Sequence, residues 1–125
     1  MSRARVLVVE DEIEVAATLL EQLTGRDYTV MTATTAQEGL DVLRTFRPDV
    51  LLLDISLPGL SGPDLIAVFG GASPGLPIIV VTSAVESQTI ARIADHKPFH
   101  VVYKPYDVDA LDRLVAAAAK EPRVA

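Results

Sequence analysis

The sequence predicts a doubly wound α/β domain, with five strands in one parallel sheet and five helices covering both of its faces. Two observations carry that expectation. Short unbroken aliphatic runs at residues 6–9, 50–53 and 78–81 stop at polar or turn residues, the pattern of strands buried on both faces. Between the runs lie stretches whose apolar residues recur at helical spacing, so each strand feeds a crossover helix and neighbouring strands run parallel.

Arg5-Val6-Leu7-Val8-Val9 makes the first strand and runs into Glu10-Asp11-Glu12. Ile13, Ala16, Ala17, Leu20 and Leu23 then form an apolar stripe that stops at Gly25. Residues 28–33, rich in β-branched and aromatic types, make a short second strand. Thr35 and Glu38 have capping-box spacing ahead of Leu40, Leu43 and Phe46, and Arg47-Pro48 closes that helix. The third strand ends at Asp54, and a turn containing Pro58 and Gly59 follows. Pro63 suits the first turn of a helix carrying Leu65, Ile66 and Phe69, while Gly70-Gly71-Ala72-Ser73-Pro74-Gly75 reads as loop. The fourth strand, 77–81, ends in Thr82-Ser83. Ser83 and Glu86 repeat the capping spacing before Ile90, Ile93 and Ala94, and Pro98 forbids further helix. Residues 99–103 make the fifth strand and lead into Lys104-Pro105. A last helix starts at Asp107 and buries Val108, Leu111, Leu114, Val115 and Ala118. The expectation is a single domain over 1–125, with its core at about 5–119 and a tail at 120–125.

Composition narrows the function. The 125 residues carry a formal charge of −6, which lacks the basic footprint of a nucleic-acid binder. There is no cysteine, so disulfides and thiolate metal sites are excluded. The apolar run after the basic start is too short for a signal peptide or a membrane span, so the expected location is the cytoplasm.

Right-handed crossovers leave few arrangements, and the compact one for five strands is the flavodoxin-like order 2-1-3-4-5. Its crevice lies between strands one and three. Glu10 and Asp11 then share that crevice with Asp54, and three carboxylates so close repel unless protonated or neutralised. Oxygen ligands without histidine or cysteine favour Mg²⁺. Thr82 adds a hydroxyl from strand four and Lys104 an ammonium from strand five, which completes a cradle for a phosphoryl group. Each residue also has a plainer role. Asp54 can cap a turn, the Glu10-Asp11-Glu12 charge suits a helix N-terminus, Thr82 can open a helix, and Lys104 can be a solvated loop lysine. The joint reading is favoured because four of the five strands end in the required chemical type.

With these motifs in order, Val-Val-Glu10-Asp11-Glu12, Leu-Leu-Leu-Asp54-Ile-Ser-Leu-Pro58-Gly59, Val-Val-Thr82-Ser83 and Tyr-Lys104-Pro105, the chain resembles a response-regulator receiver domain. The likeness is to the single-domain, chemotaxis-regulator type of two-component signalling and runs from about Arg5 to Ala119. It implies that Asp54 accepts phosphate from the phosphohistidine of a sensor histidine kinase or histidine phosphotransferase. It implies Mg²⁺ held by Asp11, Asp54 and the Ser56 backbone carbonyl, with Glu10 acting through water. Thr82 and Lys104 would hold phosphoryl oxygens, and the Lys104-Pro105 bond would be cis. A downstream protein would read the face made by the fourth helix, the fifth strand and the last helix, where Arg92, His96, Tyr103 and Tyr106 lie. The resemblance implies no direct contact with nucleic acid or membrane, and a monomer or weak dimer.

One position departs from the pattern. Many receivers carry an aromatic switch residue three positions before the lysine, where this chain has Val101. Tyr103 lies on the same sheet face, one pleat nearer the site, and either replaces the switch or packs as an ordinary strand aromatic. His96 and His100 flank Pro98, which denies them the helical turn of a ligand pair. Ser56 and Ala84, two residues beyond Asp54 and Thr82, should influence water access to an acyl phosphate.

Other functions fit less well. A phosphatase passing through aspartyl phosphate needs an acid/base carboxylate where this chain has Ser56. A nucleotide-binding module needs a glycine-rich first turn where this chain has three acids. A receiver-fold interaction module that no longer takes phosphate stays open, as does the receiver part of a longer regulator.

Overall fold

The computed structural model describes residues 2–55, 62–83 and 86–122. Its elements alternate as expected: β1 (Arg5–Val9), α1 (Ile13–Thr24), β2 (Thr29–Ala33), α2 (Ala36–Phe46), β3 (Val50–Asp54), α3 (Asp64–Ala72), β4 (Ile78–Thr82), α4 (Ser87–Asp95), β5 (His100–Tyr103) and α5 (Val108–Ala119). The sheet has the order β2-β1-β3-β4-β5, and every pairing is parallel.

Burial follows the residue pattern. Every residue of β3 and β4 is buried, as is every residue of β1 after Arg5, because helices cover both sheet faces. Strand alternation sends Leu7, Val9, Leu51, Leu53 and Val80 to one core, against Leu43 and Phe46 of α2, Leu65 and Phe69 of α3, and Ile93 of α4. Val6, Val8, Leu52, Ile79 and Val81 face the other core, against Leu19 and Leu23 of α1 and Leu111 and Val115 of α5.

The capping box at α2 forms: the Glu38 amide donates to Thr35 Oγ1 at 3.1 Å. Its carboxylate reaches back one residue further than the motif requires, accepting from the Thr34 amide at 3.3 Å. The second expected box does not form. α4 starts at Ser87 with Glu86 at the N-cap, so Ser83 lies outside the helix, and the Glu86 side chain makes no capping hydrogen bond among the described residues. The expected 70–75 loop is also partly helix. α3 runs through Gly70 and Gly71 to Ala72, held by buried Leu65, Ile66 and Phe69 and closed by the Ser73 amide on the Phe69 carbonyl at 3.0 Å. Packing of that face outweighs the poor helix propensity of two glycines.

Gly39 is needed for a different reason. A Cβ there would lie 2.9 Å from Val9 Cγ2 and 3.1 Å from the Phe69 ring, so α2 sits on β1 and α3 only because this residue has no side chain.

At the end of the sheet away from the C-termini of the strands, α5 is fastened to the β1 and β2 ends. Asp112 accepts from the Tyr28 hydroxyl at 2.7 Å, from Arg3 at 3.0 Å and from Arg26 at 3.3 Å. Arg26 also pairs with Asp109 at 2.7 Å, and the Arg3 guanidinium lies over the Tyr28 ring at 4.5 Å.

Candidate functional site

Register builds the site. Pairing of Val9 with Leu53 makes Glu10 and Asp54, the next residue of each strand end, neighbours across the β1–β3 ladder. Asp54 in turn pairs with Val81, and Thr82 with Tyr103, so the ends of β1, β3, β4 and β5 open on one crevice. The Lys104 amide donates to the Thr82 carbonyl at 2.8 Å, which fixes where the lysine leaves the sheet. The Lys104-Pro105 bond is cis.

Among the described residues, Glu10, Asp54 and Thr82 are the buried polar side chains, at 2 %, 3 % and 1 % exposure. Each of Glu10, Asp11 and Asp54 offers a carboxylate oxygen, and those three atoms lie within 4.8 Å of one another. Lys104 Nζ is 3.1 Å from Asp54 Oδ2 and 3.4 Å from Glu10 Oε1, so one ammonium faces the cluster. Glu10 Oε2 also accepts from the Glu12 amide at 3.3 Å.

These contacts set the protonation. Burial, then the hydrogen bond and charge of Asp54, push the Glu10 carboxyl up to about 8, against the pull of the Glu12 amide and Lys104. For Lys104, burial disfavours the charge, but the hydrogen bond and charge of Asp54 and the nearby Glu10 outweigh it, and its pKa is raised. The cluster has more negative charge than one lysine offsets, and its donors are all carboxylate oxygens. That is the chemistry of a site for a small hard cation.

The fold has counterparts among known proteins. The family model for the response regulator receiver domain matches residues 6–116. The chain belongs to that family. Receiver domains are the signalling modules of two-component systems, and this receiver is similar to several regulators. It is 32% identical over 118 residues to the DNA-binding transcriptional regulator NtrC of Klebsiella pneumoniae, covering 94% of this chain and 25% of that protein. It is 36% identical over 123 residues to the transcriptional regulatory protein KdpE of Mycobacterium tuberculosis (strain ATCC 25618 / H37Rv), covering 96% of this chain and 53% of that one. The receiver thus spans about a quarter to a half of the length of these curated relatives. Among solved structures it matches the signal receiver domain of a modulated diguanylate cyclase from Desulfovibrio desulfuricans G20 at 35% identity and a TM-score of 0.82, over 93% of each chain. A CheY-like receiver domain protein from Methanospirillum hungatei JF-1, at 24% identity, shares the fold with a TM-score of 0.82 over 94% of this chain and 98% of that one.

Of the site residues expected from sequence, Glu10, Asp11, Asp54 and Lys104 come together, and Thr82 closes the neighbouring strand end. Ser56 and Ala84 lie outside the described residues, as do Pro58 and Gly59. Gly62, where the described chain resumes, lies so close to the Ile55 carbonyl that a Cβ could not fit, so the chain returns directly over the residue after Asp54. Tyr103 is 46% exposed, and Val101 is half-buried against the α2–α4 core. Arg92 is held by Asp64 at 3.2 Å, with His96 3.9 Å from the same carboxylate.

Tyr106 was assigned from sequence to the partner-facing surface alone, and its place at the site was missed. Its ring is half-buried against the α1–α5 core and lines the same narrow cavity as Glu10 and Asp54. Burial raises its hydroxyl pKa, with Lys104 opposing and Glu10 adding. An aromatic two residues beyond Lys104 in a short loop was the available signal.

Proposed function

We propose that this receiver accepts a phosphoryl group on Asp54 from the phosphohistidine of a sensor histidine kinase or a histidine phosphotransferase. The observation that carries the reading is the convergence of Glu10, Asp11 and Asp54 within 4.8 Å under a single ammonium, Lys104. An Asp54 oxygen attacks phosphorus, the P–O bond forms as the P–N bond breaks, and the freed imidazole takes up a proton. Thr82, at the end of β4, donates its hydroxyl to a phosphoryl oxygen. Lys104 transfers its hydrogen bond from the carboxylate to the incoming phosphoryl group, which replaces the anionic partner it gives up. Mg²⁺ would be held by Asp11 and Asp54, by the Ser56 carbonyl, and by Glu10 through water, and would neutralise charge on the transferring group.

Phosphorylation adds roughly two negative charges at the crevice. Pulling Thr82 and Lys104 toward it biases the loops that lead into α4 and α5, and a partner protein reads the change on the α4–β5–α5 face. In this reading the chain is one receiver domain over 1–125 that acts in the cytoplasm as a monomer or weak dimer, without touching nucleic acid itself. Among the described residues no helix is long and apolar enough to cross a membrane. The receiver promotes its own phosphorylation and is not a free-standing enzyme.

The test is incubation with a small acyl-phosphate donor and Mg²⁺, read by intact mass. One phosphoryl group should be added to the wild type and none to Asp54→Asn. Labelling that persists in the variant moves the acceptor elsewhere.

A further inference from the structure

Two spaces lie on the α1–α5 side of the sheet, one lined by Lys104 and the other by two of the clustered carboxylates. One is an open groove of about 560 Å³ between α1 and the start of α5, lined by Val15, Thr18, Lys104, Pro105, Tyr106 and Val108 among others. The other is a narrow cavity of about 10 Å³ beneath the site, lined by Val8, Glu10, Leu52, Asp54, Val81 and Tyr106 among others. It has room for a single water at most. Among the described residues, Tyr106 is the one common to both linings. The other described residues of the small cavity are buried, whereas Tyr106 is half-buried. Tyr106 thus walls both the groove and the cavity that the two carboxylates line. Lys104, which bonds to both carboxylates, also borders the groove.

The physical consequence concerns Lys104. An ion pair shielded from water is strong and poorly screened by salt, while the same pair open to solvent is weak and salt-sensitive. We propose that Tyr106 is a positioning residue for phosphoryl transfer: its ring closes the α1–α5 groove off from the carboxylates and thereby holds the Lys104 ammonium on Asp54. The role requires bulk and apolar surface rather than the hydroxyl. It rests on the reading that Asp54 is the phosphoacceptor, and one of its tests does not depend on that.

Tyr106→Phe and Tyr106→Leu keep the wall, Tyr106→Val thins it and Tyr106→Ala opens it. Labelling by a small acyl phosphate with Mg²⁺ is followed at low and high ionic strength. Phe and Leu variants should stay within about twofold of wild type, whereas Ala should slow labelling roughly three- to tenfold, with a steeper salt dependence than wild type. Val should fall between, and it carries the comparison if the Ala variant fails to fold. In parallel, the reactivity of Lys104 toward an amine-selective reagent is read by peptide mass, which requires no phosphorylation. Lys104 should react several-fold faster in the Val and Ala variants than in wild type, Phe or Leu. Equal labelling rates and equal Lys104 reactivity across the series overturn the inference, as does a Phe variant as impaired as Ala. If wild type takes no phosphate, the proposed function fails, and the Lys104 reactivities still decide whether Tyr106 closes the groove.

Discussion

Tyr28 offers a sharp test of how α5 is held. Its ring is 4% exposed, and its hydroxyl donates to Asp112 at 2.7 Å. Tyr28→Phe removes one oxygen from a buried position and leaves the packing in place. A hydrogen bond to a charged group contributes about 1.5–3 kcal/mol, and a 125-residue domain loses about 4 °C in Tm per kcal/mol. The variant should therefore melt about 6–12 °C below wild type at neutral pH. The arginines that share Asp112 are 41% and 32% exposed, so their pairs are screened and the hydroxyl bond dominates. In an Asp112→Asn background the same substitution should cost less than about 1 kcal/mol, because a neutral acceptor makes a weaker bond. Urea unfolding of the four proteins gives the coupling directly.

The pH dependence has a fixed sign on each side. Burial, then the Asp112 bond and charge, push the Tyr28 hydroxyl up to about 12, so its contribution is complete below the ordinary tyrosine value and is lost as pH rises toward 12. For Asp112, burial raises the pKa, but the Tyr28 bond, the charge of Arg3 and the hydrogen bonds from Arg26 and Arg3 outweigh it and lower the carboxyl overall. That contribution is present above the ordinary aspartate value and is lost as pH falls through the lowered one. A Tyr28→Phe cost below about 0.5 kcal/mol, or one equal in both backgrounds, would refute this account of α5.

The glycines predict effects of opposite sign. Gly39→Ala should destabilise by about 1–3 kcal/mol, because its methyl meets Val9 and Phe69, whereas Gly71→Ala, with open space around it, should stabilise by about 0.5–1 kcal/mol; denaturant midpoints check both. Magnesium at about a hundred times its Kd should raise stability by about 2.7 kcal/mol, and Asp11→Asn should largely abolish the shift in a thermal melt. Lys104→Ala should slow labelling of Asp54 by roughly a hundredfold in single-turnover kinetics, since it removes the ammonium that meets the phosphoryl charge.

The fold was legible because each layer of the sequence agreed with the next. The aliphatic runs of β1, β3 and β4 require a sheet buried on both faces, and alternation with helices leaves the 2-1-3-4-5 order as the compact solution. The carboxylates and Lys104 were legible for the same reason, since they stand at strand ends that the order brings together. What escaped depends on tertiary packing rather than local pattern. Gly70 and Gly71 read as loop, yet the buried face of α3 carries the helix through them. Ser83 and Glu86 have capping spacing, but spacing does not position the backbone, and α4 begins one residue after Glu86. Gly39 and Tyr106 matter through neighbours distant in sequence, Val9 and Phe69 for one, Glu10 and Asp54 for the other.

The account stands or falls on which atom takes the phosphate. Phosphorylated protein is reduced with borohydride, which converts an aspartyl phosphate to homoserine, and then mapped by peptide sequencing. Homoserine at position 54, formed only when Mg²⁺ was present during phosphorylation, is the predicted result. Homoserine at another acidic residue, or none at all from protein that carries phosphate, would contradict it.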